Sequence, residues 1–242
     1  MDQKQLKTTW KQRIVIGIIA FLMLFSTVAV YALIVLSNEV KERKKQDVSK
    51  ELKEIETQIT AKTTEIEALI DKLSDKYYDT LAKYRSRVKS YNAKSVDNAG
   101  LKTTDLEKGS GEEITEDTSY YSYYIGWCAD ESIFDSSFDN NKDGKKLMDP
   151  IAYNAGSSNF IAGWTEGVLG MKIGGVREIS VPAALAYGDS REICGGKNSP
   201  LKYIVMPVDP GDDYKKLIEE YNNLQQQYQI LYYSQNQDLI NQ

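Results

Sequence analysis

Gly163-Trp-Thr-Glu-Gly-Val-Leu-Gly-Met171 reads as one brief helix set among runs of a different character. Tyr120-Tyr-Ser-Tyr-Tyr-Ile125 precedes it, and Val176-Arg-Glu-Ile-Ser-Val181 and Leu201-Lys-Tyr-Ile-Val205 follow. Each run is short, rich in β-branched and aromatic residues, and bounded by glycine-bearing turns, which is the pattern of strands. Short strands around one short helix predict an α+β domain in which an antiparallel sheet wraps on that helix. Residues 101–209 supply about a hundred positions, enough for a core of their own.

Upstream, residues 92–100 are polar and end in Gly100, the composition of a hinge. Residues 38–94 hold neither proline nor glycine, and Leu52, Ile55, Ile59, Ile66, Leu69 and Leu73 recur at threes and fours. This spacing predicts a helical coiled-coil stalk. The stripe resumes as Tyr77, Leu81, Tyr84, Val88 and Tyr91 after two steps of four, a stutter that locally unwinds a supercoil. Some 55 residues at ~1.5 Å each would span about 80 Å. The stalk either sets a height or dimerises the chain, and Lys62 and Lys76 interrupt its seam. Downstream, residues 211–238 carry Tyr214, Leu217, Tyr221, Leu224, Tyr228 and Leu231 at helical spacing. This last helix needs a partner. The tyrosine-rich face at Tyr77 to Tyr91 is the predicted one, giving intramolecular packing on the stalk, with a homodimer seam as the alternative.

Residues 14–36 are uncharged and apolar, long enough to cross a bilayer as a single transmembrane helix. Leu33-Ile-Val-Leu36 continues past the weak small-residue site Val30-Tyr-Ala32, which favours an uncleaved anchor over a cleaved signal peptide. Basic residues flank both ends. Retention of the short tail, residues 1–13 with Lys4, Lys7, Lys11 and Arg13, predicts a cytoplasmic N-terminus and places everything after Ser37 outside the cytoplasm.

The 242 residues contain no histidine and two cysteines, with a net charge of -5. Without imidazole there is no Ser-His or Cys-His nucleophile pair, and two thiols are too few for a thiolate zinc site. No cofactor or metal is expected. Nor does an acidic chain without basic-aromatic runs suit nucleic acid.

Four blocks in the predicted domain form a larger pattern. They are Tyr124-Ile-Gly126; Phe134-Asp-Ser-Ser137; Ile161-Ala-Gly-Trp164 running through Glu166-Gly167 to Gly170-Met-Lys-Ile-Gly174; and Val181-Pro182 with Leu185-Ala-Tyr-Gly188. In order and spacing, from about Leu101 to Pro210, they resemble the FKBP family of peptidyl-prolyl cis-trans isomerases. The resemblance implies a catalytic set of Tyr124, Phe134, Asp135, Trp164 and Tyr187. Trp164 would be the floor under a proline ring, Asp135 would sit at the rim, and Tyr187 would offer its hydroxyl to a substrate carbonyl. Phe160, Ile161 and Tyr203 would be further walls. Ile151 stands where relatives have another aromatic, and Ile193 lies in a loop that overhangs the site in relatives. That loop, Asp189-Ser-Arg-Glu-Ile-Cys-Gly-Gly-Lys-Asn-Ser-Pro200, has two glycines in place of the family's Ile-Pro-Pro segment. Cys194 within it and Cys128 after the Tyr-x-Gly strand either form a disulfide that replaces the lost rigidity or stay as two small apolar side chains. Residues 140–148 look like an inserted, exposed loop.

The implied reaction breaks no bond. Rotation about X-Pro faces a resonance barrier of ~18–20 kcal/mol and takes tens to hundreds of seconds uncatalysed. An apolar cup favours the twisted, less polar amide over the planar one, so no acid, base or metal is needed. The resemblance implies proline-containing polypeptides as partners and a cell-membrane isomerase that assists folding of extracytoplasmic proteins. The alternatives are a catalytically weak binding module or chaperone-adaptor on a coiled-coil stalk, and a mainly structural coiled coil.

Overall fold

Central strands with apolar side chains on both faces need a cover on each side. A computed structural model of the chain describes residues 10–240, with side-chain surroundings for Trp10 and residues 23–235. In chain order it forms α1 (Trp10–Ala82), a 3-10 turn at Lys83–Arg87, α2 (Ala93–Ala99), β1 (Lys102–Glu107), β2 (Tyr120–Trp127), β3 (Ile133–Ser136), β4 (Ile151–Tyr153), α3 (Ala162–Gly167), β5 (Val176–Val181), β6 (Leu201–Val208) and α4 (Asp212–Ile240). The strands make one antiparallel sheet ordered β1-β5-β6-β2-β3, with β4 also paired to β2. Two compact units result: residues 61–221, and the described parts of 1–60 and 222–242.

In the unit of residues 61–221, alternate strand positions separate into two clusters. Tyr120, Ile179, Val181, Tyr203 and Val205 point to one face, covered by Trp164 and Val168 of the α3 segment. Tyr123, Ile125, Trp127, Ile204, Met206 and Val208 point to the other, and the end of α1 with the segment after it covers them: Leu81 is 0% exposed there, and Tyr77, Tyr78, Tyr84, Val88 and Tyr91 pack against the same cluster. A single helix on one face, as predicted, is therefore half of the arrangement. The tyrosine stripe of the stalk serves the sheet and not the C-terminal helix. Its hydroxyls reach sheet-edge groups, with Tyr77 donating to the Asp209 carbonyl (2.9 Å), Tyr84 to Glu107 (2.6 Å) and Tyr91 to the Pro200 carbonyl (2.9 Å).

Three boundaries differ from the sequence expectation. α1 ends at Ala82, well before residue 94, because Val88 is extended and the Tyr91 N–H pairs with the Ala129 carbonyl at 3.1 Å. The presumed hinge at 92–100 contains helix α2, capped by the Asn92 side chain on the Ser95 N–H (3.0 Å) and anchored by buried Val96. The inserted segment 140–148 is fastened to α1: Leu147 is 2% exposed, its N–H donates to Ser74 Oγ (2.8 Å), and Lys146 pairs with Asp75 (2.5 Å).

α4 meets α1 within each unit. Within residues 61–221, Tyr214 and Leu217 are buried and Glu220 meets Lys62 at 2.7 Å, so the lysine that interrupts the seam has a partner across it. Within the other unit, Leu52 and Ile55 are buried and the Tyr228 hydroxyl donates to Glu56 at 2.9 Å. The packing of the last helix on the stalk is thus intramolecular, but earlier along α1 than the tyrosine stripe. Among the described residues α1 also holds one stretch long and apolar enough, by length and composition, to cross a membrane. Residues 1–9 of the predicted tail lie outside the described residues.

Two predictions follow from this packing. Leu81→Ala should cost about 2–5 kcal/mol of unfolding free energy, because the cavity opens between helix and sheet; an unchanged urea midpoint would remove the end of α1 from the core. Glu178 sits between Arg87 (2.7 Å) and Lys202 (2.9 Å). Burial pushes its carboxyl up, yet the hydrogen bonds from Lys202 and Arg87 outweigh burial and hold it below its ordinary value of 4.5. A depressed carboxyl adds stability that is present above the unfolded-state value and is lost as pH falls through the folded-state value. The stability advantage of wild type over Glu178→Gln should therefore be full at pH 7 and shrink below about pH 4.5; a difference independent of pH in urea titrations would exclude this role.

Candidate active site

α3 carries Trp164 into the sheet, and two local features hold it there. At Gly163 an added Cβ would lie 2.2 Å from Val181 Cγ1, so only glycine allows the helix to sit this close to β5. At the far end Arg177 of β5, 8% exposed, donates through Nη1 to the carbonyls of Gly167 (3.0 Å) and Leu169 (2.8 Å) and through Nε to Asp105 (2.5 Å). A buried guanidinium thereby satisfies carbonyls that a helix end leaves open, while its own charge is paired.

Trp164 is 3% exposed, and its indole N–H donates to the Tyr120 hydroxyl at 3.0 Å. The rings of Tyr124 and Tyr203 meet it edge-on, each with centroids 5.5 Å away, and Phe160 lies 5.6 Å away. Phe134 in turn meets Tyr203 edge-on at 5.6 Å. These edge-to-face contacts are the favoured geometry of aromatic pairs. Half-buried Ile151, Ile161, Tyr187 and Ile193 pack against the same cluster. The β2–β3 and β2–β6 registers explain the meeting: Gly126 is opposite Asp135 on one side and Tyr203 on the other. A Cβ at Gly126 would lie 2.6 Å from Phe134 Cζ and 2.9 Å from Tyr203 Cε1, so the glycine of Tyr-x-Gly is the space these rings occupy.

The polar groups gather at one edge. The Tyr124 hydroxyl donates to Asp135 Oδ2 at 2.7 Å, and the Tyr124 N–H donates to Ser137 Oγ at 2.9 Å. Burial, then the hydrogen bond and charge of Asp135, push the Tyr124 hydroxyl up, so it remains a donor. Burial also pushes up the Tyr203 hydroxyl, with Tyr187, Tyr124 and Asp135 all adding to the effect. Tyr187 follows the turn Ala183–Leu185, which is tied to α2 by the Ala183 N–H on Asp97 (2.8 Å). A disulfide joins Cys128, just after β2, to Cys194 in the following loop, with Cα atoms 5.4 Å apart. All ten sequence-predicted site residues therefore surround one aromatic cluster.

The profile of the FKBP-type peptidyl-prolyl cis-trans isomerase family matches residues 111–206. An FK506-binding protein of Neisseria meningitidis is 35% identical over 89 residues, covering 37% of this chain and 75% of that protein. One of Streptomyces anulatus is 33% identical over 112 residues, covering 46% and 84%. The chain belongs to the FKBP-type peptidyl-prolyl isomerase family. The chloroplastic peptidyl-prolyl cis-trans isomerase FKBP13 of Arabidopsis thaliana is 32% identical over 108 residues, 42% of this chain and 49% of that protein.

The FKBP-type domain extends upstream of the match, since β1 completes the sheet by pairing with β5. Sequence reasoning missed two residues that position its site. Tyr120 fixes the indole of Trp164, and nothing in its local pattern separates it from the neighbouring tyrosines. Ser137 was visible as the last residue of Phe-Asp-Ser-Ser, but its bond to Tyr124 appears only across the strand pair. Gly126→Ala should force the Phe134 and Tyr203 rings apart, destabilising the FKBP-type domain by about 1–3 kcal/mol. Urea unfolding with the aromatic proton spectrum checks this, and wild-type stability with unmoved ring resonances would disprove it.

Proposed function

We propose that the chain is a membrane-tethered prolyl isomerase that assists the folding of proteins outside the cytoplasm. One observation carries this reading: Tyr124, Asp135, Tyr187 and Tyr203 place their polar groups at one edge of the apolar enclosure around Trp164. A proline ring enters beside Trp164 and leaves water behind. The planar amide has more charge separation than the twisted one, so the apolar walls lower the rotation barrier, and each ~1.4 kcal/mol removed gives tenfold in rate. Tyr187 holds a substrate carbonyl while the prolyl bond turns. Asp135, held by Tyr124, orients the peptide and transfers no proton. The apolar stretch of α1 anchors the chain, with Lys4, Lys7, Lys11 and Arg13 retained in the cytoplasm. A disulfide suits the oxidising side of a membrane.

Exchange spectroscopy on a short X-Pro peptide, with the full chain in detergent, tests the assignment. Loss of one hydrogen bond is worth about 1 kcal/mol, so Asp135→Ala and Tyr187→Phe should each lower kcat/KM about three- to tenfold. Equal turnover in wild type and both variants would discard these roles. Wild-type turnover no faster than buffer would leave a peptide-binding adaptor in place of an enzyme.

A further inference from the structure

Arg191 is unlike the other arginines of residues 61–221. Arg85 donates to the Gly144 carbonyl, Arg87 pairs with Glu178, and Arg177 pairs with Asp105. Arg85 also lies over a ring, that of Phe138 at 3.6 Å, but Arg191, whose guanidinium carbon is 5.0 Å from the Tyr187 centroid, has neither a carbonyl acceptor nor a carboxylate in reach among the described residues. A guanidinium held over a ring through its carbon makes a cation-π contact and needs none of its N–H groups for it. Its five N–H donors lie in the plane and stay open to a planar acceptor such as a carboxylate.

The loop that presents this cation is fastened at several points. The Ser190 N–H and Oγ both donate to the Tyr187 carbonyl, at 3.1 and 2.5 Å. Ile193 and Gly196 exchange backbone bonds at 3.0 and 3.1 Å, Ser199 Oγ donates to the Ile193 carbonyl at 3.0 Å, and Cys194 is bonded to Cys128. The other rim charges leave Arg191 unmatched. Asp135 is engaged by Tyr124, while Asp189 and Glu192 are exposed in the same loop and form no ion pair with it.

We propose that Arg191 selects client segments with an aspartate or glutamate within about two residues of the isomerised proline, since an extended chain advances ~3.3 Å per residue. The proposal rests on the reading that Tyr187 faces the bound peptide. It assigns Arg191 to client choice and not to the rotation itself, so its effect falls on KM. Exposed charge pairs give about two- to fivefold at moderate salt, and screening reduces this as salt rises.

The experiment compares peptides with Glu, Gln or Lys on either side of the same proline, by exchange spectroscopy on the full chain in detergent. The Glu peptide should exceed the Lys peptide in kcat/KM by about two- to fivefold, mainly through KM, with the gap narrowing in high salt. Arg191→Glu should reverse the order, and Arg191→Lys should keep its sign. Equal kcat/KM for all three peptides in wild type would overturn the proposal while leaving the isomerase reading intact. If no peptide turns over, that reading fails separately, and fluorescence anisotropy with the same peptides decides: tighter binding of the Glu peptide supports charge selection, and equal affinities overturn it.

Discussion

Two-sided burial of the β2–β6 pair is the constraint on which the rest of residues 61–221 depends. Along these strands alternate side chains are apolar in both directions, so each face needs a cover. α3 and its loop supply one and the end of α1 supplies the other. Without the second, Tyr123, Ile125, Trp127, Ile204 and Met206 would face water, a loss of about 1.5–3 kcal/mol for each large side chain. The stalk is therefore no appendage: its last turns are core, and its tyrosines combine apolar area with hydroxyls that reach the sheet's edges.

The same constraint fixes the site. Because the second face is sealed by α1, the first can devote its aromatic side chains to an enclosure around Trp164. That enclosure is tight for reasons that can be assigned to atoms. Gly126 and Gly163 remove side chains where rings or a helix must approach, and Arg177 holds the end of α3 from beneath. Burial pushes the Tyr124 and Tyr203 hydroxyls up and keeps them protonated.

Away from the sheet, the helical hairpin shows how a seam interrupted by lysine is completed within one chain. Lys62 finds Glu220, and Glu56 accepts from Tyr228. Within each unit the stripe of α1 meets α4 through these pairs.

Much of this was legible in the residues themselves. Spacing of threes and fours announced the helices, a long uncharged run announced the candidate span, and four ordered blocks announced the domain and its ring of aromatic side chains. Those signals are local, because each depends on the period of one element or on a contiguous motif. The sequence could not say which surface the Tyr77 to Tyr91 stripe would cover, that residues 92–100 would cap into a helix, or that residues 140–148 would be tied to α1. Nor could it pair Tyr120 with Trp164, or bring Arg191 over Tyr187. These depend on competition among distant partners for the same apolar face or hydrogen-bond donor, and only the register of the folded strands decides which partner is within reach.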